Sequence, residues 1–172
     1  MDVFKFSQKG DQGETSLLTG ERVSKAGLRP ETYGTLDEAS SALGLARALT
    51  RNERIVEMIV AVQEDLLALG AQLSCDRSRA AGRSIGEERT QRLERWIESL
   101  QQEVPLPRRF ILPGVNAPGA AIDLARTIVR RAERRAVGLK EAGDLDCPEV
   151  HAYLNRLADF LFTLARYAEQ RG

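Results

Sequence analysis

Apolar positions recur at helical spacing in five segments of this chain, separated by polar stretches rich in Gly, Pro or Ser. The spacing predicts a first helix from Thr35 to about Thr50. Thr35-Leu36-Asp37-Glu38 has the Thr-x-x-Glu order of a capping box, and Leu36, Ala39, Leu43, Ala46 and Leu49 hold the period. A second helix is predicted from about Glu53 to Leu73, with Ile55, Met58, Ile59, Val62, Leu66 and Leu69 on one face. Ser74 to Arg83 is small and polar and reads as an exposed, mobile loop. A third helix is expected to open at Ser84, where Glu87 completes another capping box. It should bury Leu93, Trp96, Ile97 and Leu100 before Pro105 and Pro107 end it.

After a short apolar segment closed by Pro113 and Gly114, Asn116 is the expected N-cap of a fourth helix. Pro118 is tolerated in its first turn, where the missing N–H would have no intrahelical partner, and Ile122, Ala125, Val129 and Ala132 form its apolar stripe. Pro148 opens a fifth helix running to about Gln170. It buries Val150, Leu154, Leu157, Leu161, Leu164 and Ala165 and sets Asn155, Asp159 and Arg166 on another face. Strand signal is confined to a weak alternation at Val3, Phe4 and Phe6 within residues 1–9. The pattern predicts an all-α fold, an antiparallel five-helix bundle with a short extended N-terminal segment. One domain should span 1–172, with 1–34 preceding a bundle of 35–172.

Composition narrows the function. With 25 Lys plus Arg against 25 Asp plus Glu, the chain has no overall field to hold nucleic acid or an anionic membrane, although Arg130, Arg131, Arg134 and Arg135 form a local basic cluster. No apolar run approaches the roughly 18 residues needed to cross a bilayer. Cys75 and Cys147 fall in separate predicted loops and the N-terminus lacks a secretion pattern, so a cytoplasmic location is expected. A single histidine, His151, expected at the surface, excludes zinc sites and di-iron carboxylate bundles, which need more His or Cys.

The candidate chemistry lies on the fourth helix. Arg126, Arg130 and Glu133 share one face beside the apolar stripe. One reading is a solvated face laced with weak ion pairs. The other is an anion site, because guanidiniums one turn apart present forked donors that match phosphate oxygens. Near the N-terminus, Gly10 and Gly13 with Thr15 and Ser16 close behind allow backbone N–H groups to approach an oxyanion, and Arg22 and Lys25 add cations to the same loop. By itself that segment reads equally as a surface turn. Asp37, in the predicted first turn of the first helix, is explained by the helix dipole alone.

Four segments taken together resemble the PduO-type ATP:corrinoid adenosyltransferases: KGDQGETSLLTGERVSK, YGTLDEASSALGLAR, FILPGVNAPGAAIDLARTIVRRAER and YLNRLADFLFTLARY, in that order over nearly the whole chain. The resemblance implies a five-helix bundle assembled as a homotrimer, with ATP and corrinoid held between subunits. The 5′-deoxyadenosyl group of ATP would pass to the reduced cobalt of cob(I)alamin, giving adenosylcobalamin and triphosphate. It implies that Gly10, Asp11, Ser16, Arg22 and Lys25 belong to a nucleotide-binding segment within residues 1–34. Arg126 and Arg130 would face the phosphates, Glu133 would order the nucleotide and its Mg²⁺, and Asn155 would hydrogen-bond the adenosine. Asp37 would pair with Arg126 across the subunit boundary. Phe110 would lie under the corrin ring, with Gly114 and Val115 at the corrin edge. Handing the product to an adenosylcobalamin-dependent enzyme would follow, with no nucleic-acid or membrane partner.

The chain also departs from the family pattern. Ser7-Gln8-Lys9 stands where a Thr-Arg/Lys-Thr run is usual, Ser40 where Asn is usual, Val115 where a second glycine is usual, and Asp123 where histidine is usual. These departures motivate the alternative of a non-catalytic relative that binds corrinoid or nucleotide as a carrier or sensor.

Overall fold

The computed structural model describes residues 8–75 and 85–172. Five helices carry the fold: α1 (Leu28–Leu49), α2 (Glu53–Leu73), α3 (Glu87–Glu103), α4 (Ala117–Glu141) and α5 (Pro148–Arg171). Ahead of them, Gln8–Gly10 forms a 3₁₀ turn. Two three-residue strands, β1 (Glu14–Ser16) and β2 (Arg22–Ser24), pair antiparallel with Thr15 opposite Val23. The alternation expected at Val3, Phe4 and Phe6 lies outside the described residues, and the short strands at Glu14–Ser16 and Arg22–Ser24 are additional to it.

The helix signals of α2, α4 and α5 match the structure, and those of α1 and α3 do not at their starts. The first helix opens seven residues before Thr35, at Gly27 as N-cap, with Pro30 buried in its first turn. The expected capping box is interior: the Thr35 hydroxyl donates to the carbonyl of Glu31 at 2.6 Å. A division of the chain at residue 34 would cut α1. The third helix begins at Glu87 with Gly86 as N-cap and no side-chain cap, so the capping box expected from Ser84 does not open it; Ser84 itself lies outside the described residues. Asn116 caps α4 as expected. Its Oδ1 accepts from Gly119 N at 2.9 Å while its Nδ2 donates to the Ala168 carbonyl at 2.8 Å, tying the start of α4 to the end of α5. That junction is close. A Cβ on Gly119 would meet Glu169 Cγ at 2.9 Å and the Ala165 carbonyl at 3.2 Å.

The core is one cluster threaded through all five helices, centred on Leu36, Leu43, Ile59, Leu69, Ile122, Val129, Tyr153 and Phe160. The α4 helix packs along both α1 and α5, while α3 lies on α5. The local basic cluster divides between faces: Arg131 pairs with Glu38 and Arg135 with Glu31 on α1, whereas Arg126 and Arg130 face α5. A buried polar node pins α3. Asp65 of α2 accepts from Arg89 at 2.8 Å, from Arg92 at 2.5 Å and from the Tyr153 hydroxyl of α5 at 2.8 Å. Burial, reinforced by Asp65, pushes the Tyr153 phenol well above its ordinary range, so it remains a donor. Of the expected 74–83 loop, Ser74 caps α2 and Cys75 is buried rather than exposed; residues 76–83 lie outside the described residues. No helix among the described residues is long and apolar enough to cross a membrane.

Candidate functional site

Arg126 and Arg130 are one turn apart on α4 and line a cavity of about 450 Å³ between α3, α4 and α5. From α5, Arg156, Asp159 and Phe162 complete its wall. Arg156 is itself held by Glu94 of α3 at 3.0 Å and by Asp159 at 2.7 Å. Arg126 is partly buried, and its Nε donates to Asp123 at 2.8 Å while its guanidinium lies 5.9 Å from the centre of the Phe162 ring. The side chain of Arg130 is exposed and has no hydrogen-bond partner among the described residues. Glu94, Asp159 and Asp123 match Arg156 and Arg126, which leaves Arg130 and the terminal nitrogens of Arg126 as donors open to an anion with several oxygens.

One turn further along α4, Glu133 accepts from Asn155 Nδ2 at 3.1 Å, so the two residues expected to order a nucleotide meet directly. His151 is close by and half-buried rather than at the surface. Burial, then Lys140, lowers its pKa, and Glu133 works the other way.

The N-terminal segment is a separate unit. Arg22 donates to the Lys9 carbonyl at 2.7 Å, to Glu14 at 3.2 Å and to the Ser16 hydroxyl at 3.3 Å, while Lys25 Nζ donates to the Gly10 carbonyl at 2.8 Å. The structure therefore gathers Gly10, Ser16, Arg22 and Lys25, with Asp11 exposed on the same turn. It joins the bundle at the far end of α4, where Leu18 N bonds the Ser74 carbonyl at 2.9 Å and Leu28 packs on Gly138. Gly138 is two helical turns beyond Arg130, about 12 Å along the axis. Within one chain this loop does not reach the arginine cavity.

Asp37 is also apart. Because α1 starts at Leu28, Asp37 sits in mid-helix, and the helix dipole no longer explains it. It is exposed and lines an apolar groove of about 340 Å³ with Leu18, Tyr33, Ser40 and Leu67. No described residue pairs with it.

Phe110 is fully exposed. With Leu112 and Val115, also exposed, it lines a cavity of about 400 Å³ whose far wall includes Arg166 and Glu169. Gly114 has a φ of 112°, the left-handed region that suits glycine, so the sharp bend falls there. Among the described residues no non-glycine has positive φ, and Val115 is accommodated without strain.

The sequence pattern missed Arg156 and Phe162 as cavity residues and placed Arg166 on a polar face, although it is 4% exposed. A signal was available for the first two: Arg156, Asp159, Phe162 and Thr163 fall on the same side of α5 as Asn155.

A family model described as Cobalamin adenosyltransferase matches residues 5–168. A corrinoid adenosyltransferase of Citrobacter freundii is 38% identical over 167 residues, covering 95% of this chain and 94% of its own length. The corrinoid adenosyltransferase MMAB of Mus musculus is 37% identical over 173 residues, 96% of this chain and 73% of its own. Among solved structures, a phenylalanine-to-histidine variant of a PduO-type ATP:corrinoid adenosyltransferase from Lactobacillus reuteri, complexed with cobalamin and ATP, superposes with a TM-score of 0.89. Its identity is 30%, over 95% of this chain and 90% of that one. An arginine-to-lysine variant from the same organism, complexed with ATP, gives 0.88 at 31% identity, over 96% and 94%.

Proposed function

The chain belongs to the cobalamin adenosyltransferase family, and from that membership we infer that it transfers the 5′-deoxyadenosyl group of ATP to the reduced cobalt of cob(I)alamin, giving adenosylcobalamin and triphosphate. The observation that carries this reading to individual residues is the cavity into which Arg126 and Arg130, one turn apart on α4, both open. Reduced cobalt is so strong a nucleophile that the protein has mainly to align C5′ with it and stabilise charge on the departing triphosphate. Arg126 and Arg130, on a rigid helix, are placed for the phosphates. Asn155, anchored on Glu133, holds the nucleoside end, and the Gly10, Asp11, Ser16, Arg22 and Lys25 segment closes over the polyphosphate.

Glu133 offers a single carboxylate, and no three of His, Cys, Asp and Glu converge among the described residues. That fits a Mg²⁺ ion that arrives with ATP and is held by phosphate oxygens and water, with Glu133 as the protein's contribution. Such an ion, when bound, takes up part of the charge on the triphosphate.

Because one chain leaves the Gly10 loop, Asp37 and the arginine cavity on separate surfaces, the complete site is assembled from neighbouring copies in a homotrimer. Asp37 of one copy would meet Arg126 of the next. Two features support this: an unpaired mid-helix carboxylate beside exposed Leu18 and Leu67, and terminal guanidinium nitrogens of Arg126 and Arg130 that no described residue engages. Phe110, Gly114 and Val115 offer the corrin ring an apolar shelf, with Phe110 excluding a lower axial ligand from cobalt.

An anaerobic assay tests the reaction. With ATP and cob(I)alamin, the absorption of adenosylcobalamin should appear with stoichiometric triphosphate. Tight corrinoid binding without product would favour a carrier instead.

A further inference from the structure

Asp123 belongs to none of the groups assigned above, yet it is 2% exposed between α4 and α5. Its Oδ1 accepts from Arg126 Nε at 2.8 Å, and its Oδ2 accepts from Arg166 Nη2 at 2.5 Å. Arg166 also donates to both oxygens of Glu169, at 2.8 and 2.7 Å. Burial works against the charged form of Arg166, but the bonds to Glu169 and Asp123 prevail and raise its pKa. Phe162 lies under both guanidiniums, 5.9 Å from that of Arg126 and 5.2 Å from that of Arg166. A carboxylate this deeply buried persists only with matched charge, and two guanidiniums supply the match.

The geometry also has a direction. A bond at Nε takes the donor nearest the aliphatic stem of Arg126 and leaves its two terminal nitrogens for a ligand. An arginine held in this way loses its side-chain freedom before the ligand arrives, so less is lost on binding. The two cavities meet here as well: Arg126 lines the polyphosphate cavity, Arg166 lines the cavity of Phe110, and Asp123 is bonded to both.

We propose that Asp123 is a positioning residue that fixes Arg126 through Nε, so that the terminal guanidinium nitrogens face the polyphosphate, with Arg166 as its anchor at the wall of the Phe110 cavity. This rests on the ATP site proposed above.

Asp123→Asn tests it, because the shape is kept and Arg166 retains both bonds to Glu169. Calorimetry with MgATP, at protein concentrations high enough to follow millimolar binding, should give a Kd raised about tenfold, with corrinoid KM changed less than about twofold. With Arg126→Met already in place there is no guanidinium to aim, and Asp123→Asn should add less than about twofold. Where Asp123→Asn alone does not fold, Asp123→Asn with Arg166→Gln removes the buried pair together and takes its place in both backgrounds. An unchanged Kd, or an equal loss with and without Arg126, overturns this role while leaving the ATP site standing. No MgATP binding by the unaltered chain refutes the site and this inference together.

Discussion

Under the proposed function, Arg126 carries the heaviest chemical demand of any single side chain. Removing a preorganised donor from charge that develops in the transition state costs roughly 3–4 kcal/mol, about 10²–10³ in rate. Arg126→Ala should therefore lower kcat/KM at least that far. Its cost in stability should be about 1–3 kcal/mol, because buried Asp123 loses one donor but keeps its bond to Arg166. Unchanged helical dichroism with lost turnover is the expected pair of results; wild-type turnover would contradict the assignment. His151 gives a second prediction. Its folded pKa lies below the ordinary value of about 6.5, so between the two the unfolded chain binds the proton more readily. The stability tied to neutral His151 is complete above about pH 6.5 and is lost as pH falls through the folded value. Urea midpoints from pH 7.5 down to about 5 should decline less in His151→Gln than in the unaltered chain; equal declines would refute this. At this scale the sequence put Arg126, Arg130 and Glu133 on one helix face by spacing alone, and the structure has the two arginines in one cavity and Glu133 bonded to Asn155. The sequence was silent on Asp123 with Arg166, since periodicity assigns charge to solvent and pairing between helices leaves no mark in one chain's spacing.

The helices divide by how their starts are encoded. Where a capping side chain and a proline coincide, as at Asn116 and Pro118, the start was legible. The α1 and α3 helices start instead at Gly27 and Gly86, which contribute no capping side chain, and a Thr-x-x-Glu spacing inside α1 imitated a start. The consequence is measurable. Asn116→Ala removes both the Gly119 cap and the bond to Ala168 and should cost about 1–2 kcal/mol. Thr35→Ala has no cap to lose but gives up a buried hydroxyl's bonds to Glu31 and Arg135, and should cost a similar amount, about 1–2 kcal/mol, in denaturant unfolding. A loss below about 0.5 kcal/mol in Asn116→Ala would contradict the cap. The strand pair β1 and β2 was unreadable because three-residue strands are too short to establish an alternation. The correction to α1 also bears on function, since it moves Asp37 from a first turn to mid-helix and leaves its exposed carboxylate in want of a partner.

At the scale of the molecule, the bundle puts its chemistry on surfaces that face apart: the arginines and the Phe110 shelf toward α5, and Asp37 across α1 beside the Leu18 and Leu67 groove. Under the proposed function a single copy is then an incomplete enzyme. The whole-chain helical pattern made the bundle readable, but no spacing within one chain could show which of its surfaces meet. The most direct test is complementation. Asp37→Ala and Arg126→Ala chains should each be nearly inactive alone. When they are co-expressed and purified as mixed trimers, about one in three of the shared interfaces should bring an intact Asp37 to an intact Arg126, with activity recovered to match. No recovery above the two separate variants, from trimers shown to contain both chains, would contradict a site built between copies.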